Sequence, residues 1–221
     1  MLFDFDGPIC DLFSAHSAIE VAQVLSNQLS ICGVAPALMK DPALKRDPLA
    51  MLQAVSSAGW DASLVECMER RLTAEEVRAA ADARPTLDAD KLVRRLHDAG
   101  YVLAVTSNNS AEAASHYLAR RRTAGCFGEH VHGRVSDLKL LKPNPDCLRR
   151  ALESTGMAAA DALMIGDSLS DRQAAQRLGV PFIGYAKNDR KRMALGAGAS
   201  VIVRSLRSLV EAVDWVSAEE R

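Results

Sequence analysis

A chain of 221 residues, 48% hydrophobic and 25% charged, has the make-up of an ordinary folded protein and is long enough for one sizeable domain or a core with an insertion. Its 27 Lys and Arg against 28 Asp and Glu give a net charge of −1, without the basic excess that nucleic-acid binding needs. No run reaches the roughly 18 uninterrupted apolar residues of a membrane span, and the first residues lack a basic, then apolar, leader. Cys10, Cys32, Cys67, Cys126 and Cys147 form no C-x-x-C pair, and their odd number suits reduced thiols in a cytoplasmic protein rather than a disulfide framework.

In chain order, the apolar start Leu2-Phe3 runs into Asp4-Phe5-Asp6-Gly7-Pro8. Residues 13–83 follow helical spacing without a convincing β-branched strand. The best helices there are 15–29, 48–57 and 73–83, the last with Thr73 and Glu76 spaced as a capping box. Residues 40–47, with five charges, read as a loop. Beyond them, short apolar runs at 101–106, 162–165, 181–185 and 200–203 alternate with helical patterns at 112–122, 145–154, 171–178 and 206–216. This alternation predicts an α/β fold, a doubly wound parallel sheet of residues 1–13 and 84–221, with ligands at the carboxyl ends of the strands. Residues 14–83 would be a helical insertion after the first strand.

Four segments carry chemistry. Asp4 and Asp6 are two apart, so in a strand both would face one side, and Gly7 and Pro8 then force a turn; a solvated strand end is the plain alternative. Ser107-Asn108-Asn109-Ser110 lies between a strand and a helix, where Ser110, or Asn109 with Glu112, would cap the helix, or where hydroxyl and N–H groups would hold phosphate oxygens. Lys142-Pro143-Asn144-Pro145 precedes another helix, with Asn144 as the candidate cap and Pro145 at the first position. Lys142 would be a point charge for an anion, with Lys139 its rival. In Gly166-Asp167-Ser168-Leu169-Ser170-Asp171 a strand again ends in acids. With Asp4 and Asp6 these would form a hard-oxygen cluster of the kind that binds Mg2+, although Asp171 also suits a helix's first turn.

In order, spacing and placement these segments resemble the four signature motifs of the haloacid dehalogenase superfamily, and most of all its phosphoglycolate phosphatase and β-phosphoglucomutase branch. The helical insertion looks like that branch's small four-helix cap. The resemblance implies a Mg2+-dependent phosphatase acting on a small phosphorylated metabolite. Asp4 would be the nucleophile, Asp6 the general acid and base, and Ser107 and Lys142 would hold the phosphoryl group with a backbone contact from Asn108. Asp167 would complete the metal site with the Asp4 carboxylate and the Asp6 carbonyl, supported by Asp171. A one-residue slip would exchange the duties of Thr106 and Ser107. Sugar phosphomutase is the alternative reaction and a non-catalytic regulatory protein the alternative class; Asp6 argues against a dehalogenase, whose halide leaving group needs no acid. Only three residues precede Asp4, which suggests a native start upstream or a short first strand, and Pro8 replaces the commoner threonine.

The remaining candidates are weaker. His16, His97, His116, His130 and His132 lack zinc spacing, and the pair at 130 and 132 suits packing or surface. Arg120-Arg121-Arg122 closes a helix, where cations suit the dipole. Lys40, Lys45, Arg46, Arg70 and Arg71 in the insertion would either meet a substrate anion or form a solvated face. The expected partner is the substrate alone, with no nucleic acid and no membrane, on a monomer or homodimer.

Overall fold

The computed structural model describes residues 1–34, 41–196 and 201–219. Its centre is a parallel six-stranded sheet in the order β5-β4-β1-β6-β7-β8, built from β1 (Leu2–Phe3), β4 (Ala104–Thr106), β5 (Val131–His132), β6 (Met164–Gly166), β7 (Phe182–Tyr185) and β8 (Val201–Val203). The chain winds from β1 through β4 to β5, then returns to β6 on the other side of β1. That reversal makes the carboxyl end of β1 the topological switch point where α/β sheets bind ligands. β1 is buried on both faces, with Phe3 aligned to Val105 and Ile165. In this chain β1 has two residues. The run 101–106 contracts to its last three residues, with Tyr101 and Val102 exposed and Leu103 buried.

The flanking helices are α4 (Ala89–Asp98), α5 (Ala111–Arg120), α6 (Ala124–Phe127), α7 (Asp146–Thr155), α8 (Leu169–Leu178), α9 (Asp189–Leu195) and α10 (Arg207–Glu219). Phe3 meets Phe127 and Phe5 meets Tyr117 edge to face in the main core. Among the described residues no helix is long and apolar enough to cross a membrane.

Between β2 (Cys10–Asp11) and β3 (Arg84–Pro85), an antiparallel pair, the chain makes α1 (Ala18–Ile31), α2 (Pro48–Ser57) and α3 (Ala62–Asp82). These are three helices among the described residues of a segment that resembled a four-helix cap. They bury a separate cluster around Leu25, Met51, Leu52, Met68 and Leu72, which Leu138 and Leu141 of the core side join.

Two expected caps are corrected. Thr73 and Glu76 do not start a helix: α3 begins at Ala62 with Asp61 as its cap, and the buried Met68 and Leu72 continue the helical period through Thr73. The Thr73 hydroxyl, in mid-helix, donates to Glu69 one turn back at 3.0 Å, and Glu76 is turned to the core. At α7 the cap position is Pro145 rather than Asn144, although the Asn144 side chain still accepts from the Asp146 N–H at 3.1 Å.

Candidate active site

Each of the three central strands ends one residue before a candidate: β1 before Asp4, β4 before Ser107 and β6 before Asp167. Sheet register brings them together, with the Asp4 N–H bonded to the Ile165 carbonyl at 2.9 Å. Lys142, 5% exposed, reaches into this row from the loop before α7. Its ammonium donates to Asp4 Oδ1 at 2.8 Å, Asp171 Oδ1 at 2.5 Å and the Thr106 carbonyl at 2.9 Å. Lys139 is exposed and takes no part. Asp171 divides its work: its other oxygen accepts from the Ser168 hydroxyl at 2.6 Å and from the Ser168 and Asp167 N–H groups, closing a capping box at α8. Helix α8 therefore starts at Leu169, two residues ahead of the predicted 171–178.

Thr106 turns its hydroxyl into the sheet, toward the Phe3 carbonyl and Met164, and so is not placed for Ser107's proposed duty. Ser107 is itself 2% exposed, with its hydroxyl held by Asn109. Ser110 alone caps α5, accepting from Ala113 N–H at 3.2 Å. The Asn108 side chain clamps Lys142 reciprocally: its Oδ1 accepts from the Lys142 N–H at 2.8 Å and its Nδ2 donates to the Lys142 carbonyl at 3.1 Å.

Carboxylate oxygens of Asp4, Asp167 and Asp171 lie within 4.8 Å of one another. The donors are all oxygen, which suits a hard divalent cation of the magnesium kind rather than zinc or copper. Gly7 makes the close approach possible: with φ +121°, a Cβ there would stand 2.4 Å from Asp167 Oδ2. Asp6 lies outside the triad, its Oδ1 accepting from the Leu12 N–H at 2.9 Å.

The electrostatics are those of crowded acids. Burial first, then the charge of Asp171, pushes the Asp4 carboxyl up to about 8 against the pull of Lys142. Burial likewise pushes Asp6 up to about 6, with the Leu12 N–H opposing it. Burial works against the Lys142 ammonium too, but Asp171 and Asp4 outweigh it and hold it above the ordinary lysine value. Among the described residues, the cations that line the cavity with Asp4, Asp6, Asp167 and Asp171 are Lys142, Lys191 and Arg46. An added cation would meet a net negative site.

Lys191 of α9 was not foreseen; it contacts Asp167 at 2.6 Å, and nothing in its local sequence marks it. A cavity of about 410 Å³ opens over these groups and is closed on the far side by Phe13 and by residues of the insertion, including Arg46, Leu49 and Glu76. Of the insertion cations, Arg46 lines this cavity. Lys45 lines a different one, Arg70 and Arg71 pair with Glu66 and Glu75 on α3, and Lys40 lies outside the described residues. His130 and His132 share the Ser154 hydroxyl, a packing role, and Arg121 at the end of α5 pairs with Asp90.

The family model for haloacid dehalogenase-like hydrolases matches residues 1–185, and the chain belongs to that family. Several of its curated relatives are phosphoglycolate phosphatases. It is 26% identical to the phosphoglycolate phosphatase of Pseudomonas fluorescens over 95% of this chain and 78% of that one. Its identity to that of Aliivibrio fischeri is 36% over 92 residues, 42% of this chain and only 40% of the relative's length. In fold it is similar to the crystal structure of a predicted phosphatase from Clostridium acetobutylicum, with TM-score 0.72, 23% identity and 96% of each chain covered. It is also similar to CbbY of Rhodobacter sphaeroides, solved in complex with xylulose-1,5-bisphosphate, with TM-score 0.66, 18% identity and 92% of each chain covered.

Proposed function

We propose that the protein is a Mg2+-dependent phosphatase that transfers the phosphoryl group of a small phosphorylated metabolite to Asp4 and then to water. The observation that carries this reading is the ammonium of Lys142 on the Asp4 carboxylate, beside the Asp4, Asp167 and Asp171 triad at the switch point. Phosphate monoesters repel an incoming carboxylate, so attack needs the site's positive charge arranged around the phosphoryl oxygens. A divalent cation held by Asp4, Asp167 and the Asp6 carbonyl would supply charge that Lys142 alone cannot. Asp4 attacks phosphorus, Lys142 and the 107–108 loop hold the phosphoryl oxygens, and Asp171 holds Lys142 in place. Asp6 gives a proton to the departing alkoxide and takes one from the water that opens the aspartyl phosphate. Its carboxyl, shifted up by burial, suits a group that must serve in both forms.

Residues 14–83 act as the lid that excludes water and selects the substrate. Arg46 faces the cavity from that lid and would meet a second anionic group, which makes phosphoglycolate the first compound to test. The names of the curated relatives support hydrolysis over the phosphomutase reaction. Screening phosphorylated metabolites with Mg2+ for free phosphate is the direct test. Release from none of them would contradict the reading. Exhaustive chelation should cut turnover by about 10²-fold or more, restored by Mg2+, since such a cation contributes several kcal/mol; unchanged turnover would remove the metal from the mechanism.

Arg46→Ala should raise KM for a substrate that carries a carboxylate besides its phosphate by about tenfold, the worth of one well-placed ion pair, while leaving p-nitrophenyl phosphate nearly unaffected. Equal loss on both compounds would assign Arg46 to lid structure instead.

A further inference from the structure

Helix α3 sends a buried carboxylate out of the insertion and into the core. Glu76 is 1% exposed and the side chain of Arg134, which follows β5, is 0% exposed. All the guanidinium's donors are used. Nε donates to Glu69 at 3.2 Å, Nη1 to Glu76 Oε1 at 2.9 Å and to the Asn108 carbonyl at 3.1 Å, and Nη2 to Thr73 at 3.0 Å and Glu76 Oε2 at 3.1 Å. Glu76 in turn accepts from the Asn109 side chain at 3.0 Å and the Ser110 N–H at 2.9 Å. Gly133 lets the two segments meet: a Cβ there would stand 2.2 Å from the Ala111 nitrogen, and without it the Arg134 N–H reaches the Asn109 carbonyl at 2.8 Å.

A buried ion pair of this kind is a poor way to stabilise a fold. Desolvation costs several kcal/mol per ion, and an apolar pair of equal volume often does as well or better. What an apolar pair cannot do is fix the carbonyl of Asn108, the amide of Asn109 and the N–H of Ser110 at once. Those groups belong to the loop whose Asn108 side chain clamps the Lys142 backbone, and Lys142 holds Asp4. A continuous set of hydrogen bonds therefore runs from the insertion to the nucleophile. Glu76 also lines the cavity, where a bare carboxylate would repel an anionic substrate, and Arg134 offsets its charge.

We propose that Glu76 and Arg134 are positioning residues that hold the 107–110 loop and Lys142 in register and tie that register to the position of the insertion. What the loop binds rests on the phosphatase reading; the positioning itself does not. In Glu76→Gln every partner of the replaced group is a donor, so the amide NH2 opposes another N–H in either flip. In the full-length protein, hydrogen exchange at the Ser110 and Arg134 amides should accelerate at least about tenfold, with Val105 and Met164 in the sheet unchanged. On p-nitrophenyl phosphate kcat should fall by about 10- to 10²-fold with KM nearly constant, as expected of displaced groups rather than lost binding. Arg134→Lys, which keeps the charge and loses the fork, should behave alike.

Wild-type exchange at Ser110 and Arg134, or faster exchange everywhere, would overturn the proposal. So would failure of both variants to fold, which would make the pair a structural weld. If the wild-type protein releases phosphate from no ester while exchange changes as described, the phosphatase reading fails and the positioning stands.

Discussion

Asp4→Asn should abolish phosphate release from every ester, by about 10⁴-fold or more, because an amide cannot form the acyl phosphate at a useful rate. The substitution keeps the volume at the end of β1. It also removes one charge from a site where Asp4, Asp167 and Asp171 crowd together, so the melting temperature should hold or rise. That combination separates a lost nucleophile from a damaged fold. Turnover within about tenfold of the parent, on any substrate, would mean that Asp4 only neutralises Lys142 and that another group attacks.

Asp6→Asn should lose about 10² to 10⁴ in rate on alkyl phosphates, whose alkoxides leave poorly without a proton. An aryl phosphate departs as a stable phenolate, so its first step should survive better, while the second step still lacks its base. The position of Asp6 is consistent with this division. It stands outside the carboxylate triad, two residues past the nucleophile, with its Oδ1 steadied by the Leu12 N–H at 2.9 Å. Burst kinetics with p-nitrophenyl phosphate should show a fast release followed by a slow steady state. Equal loss on alkyl and aryl esters, without a burst, would leave Asp6 only its backbone carbonyl as a role.

The parts of this site that follow from local sequence were legible in it. Asp4 and Ser107 sit one residue past an apolar run and Asp167 two past one, and a strand's end is visible because apolar residues stop where solvent or ligand begins. The parallel sheet was legible from the alternation of apolar runs and helical patterns. Helix α4 carries an equally plain signal in Leu92, Val93 and Leu96, which a reading led by strands passes over. The choice of Lys142 over Lys139 rested on the motif resemblance, since both precede the same helix and only the path of the loop turns one inward.

Thr73 and Glu76 misled for a physical reason. Their spacing matches a helix start, but charged Glu66, Glu69, Arg70 and Arg71 obscure the apolar stripe that carries α3 from Ala62. Glu76, Arg134 and Lys191 draw their meaning from residues 33 or more positions away, 58 away and 24 away respectively, and no local pattern reports such partners.

Trapping the phosphoryl group tests the central claim most directly. Asp6→Asn, mixed with p-nitrophenyl phosphate and Mg2+ and quenched rapidly in acid, should carry the mass of one added phosphoryl group, and peptide fragmentation should place it on Asp4. The doubly substituted Asp4→Asn, Asp6→Asn protein should carry none. Phosphorylation on Ser107 or any other residue, or turnover of the aryl ester with no phosphorylated protein at any quench time, would contradict Asp4 as the nucleophile and with it the proposed mechanism.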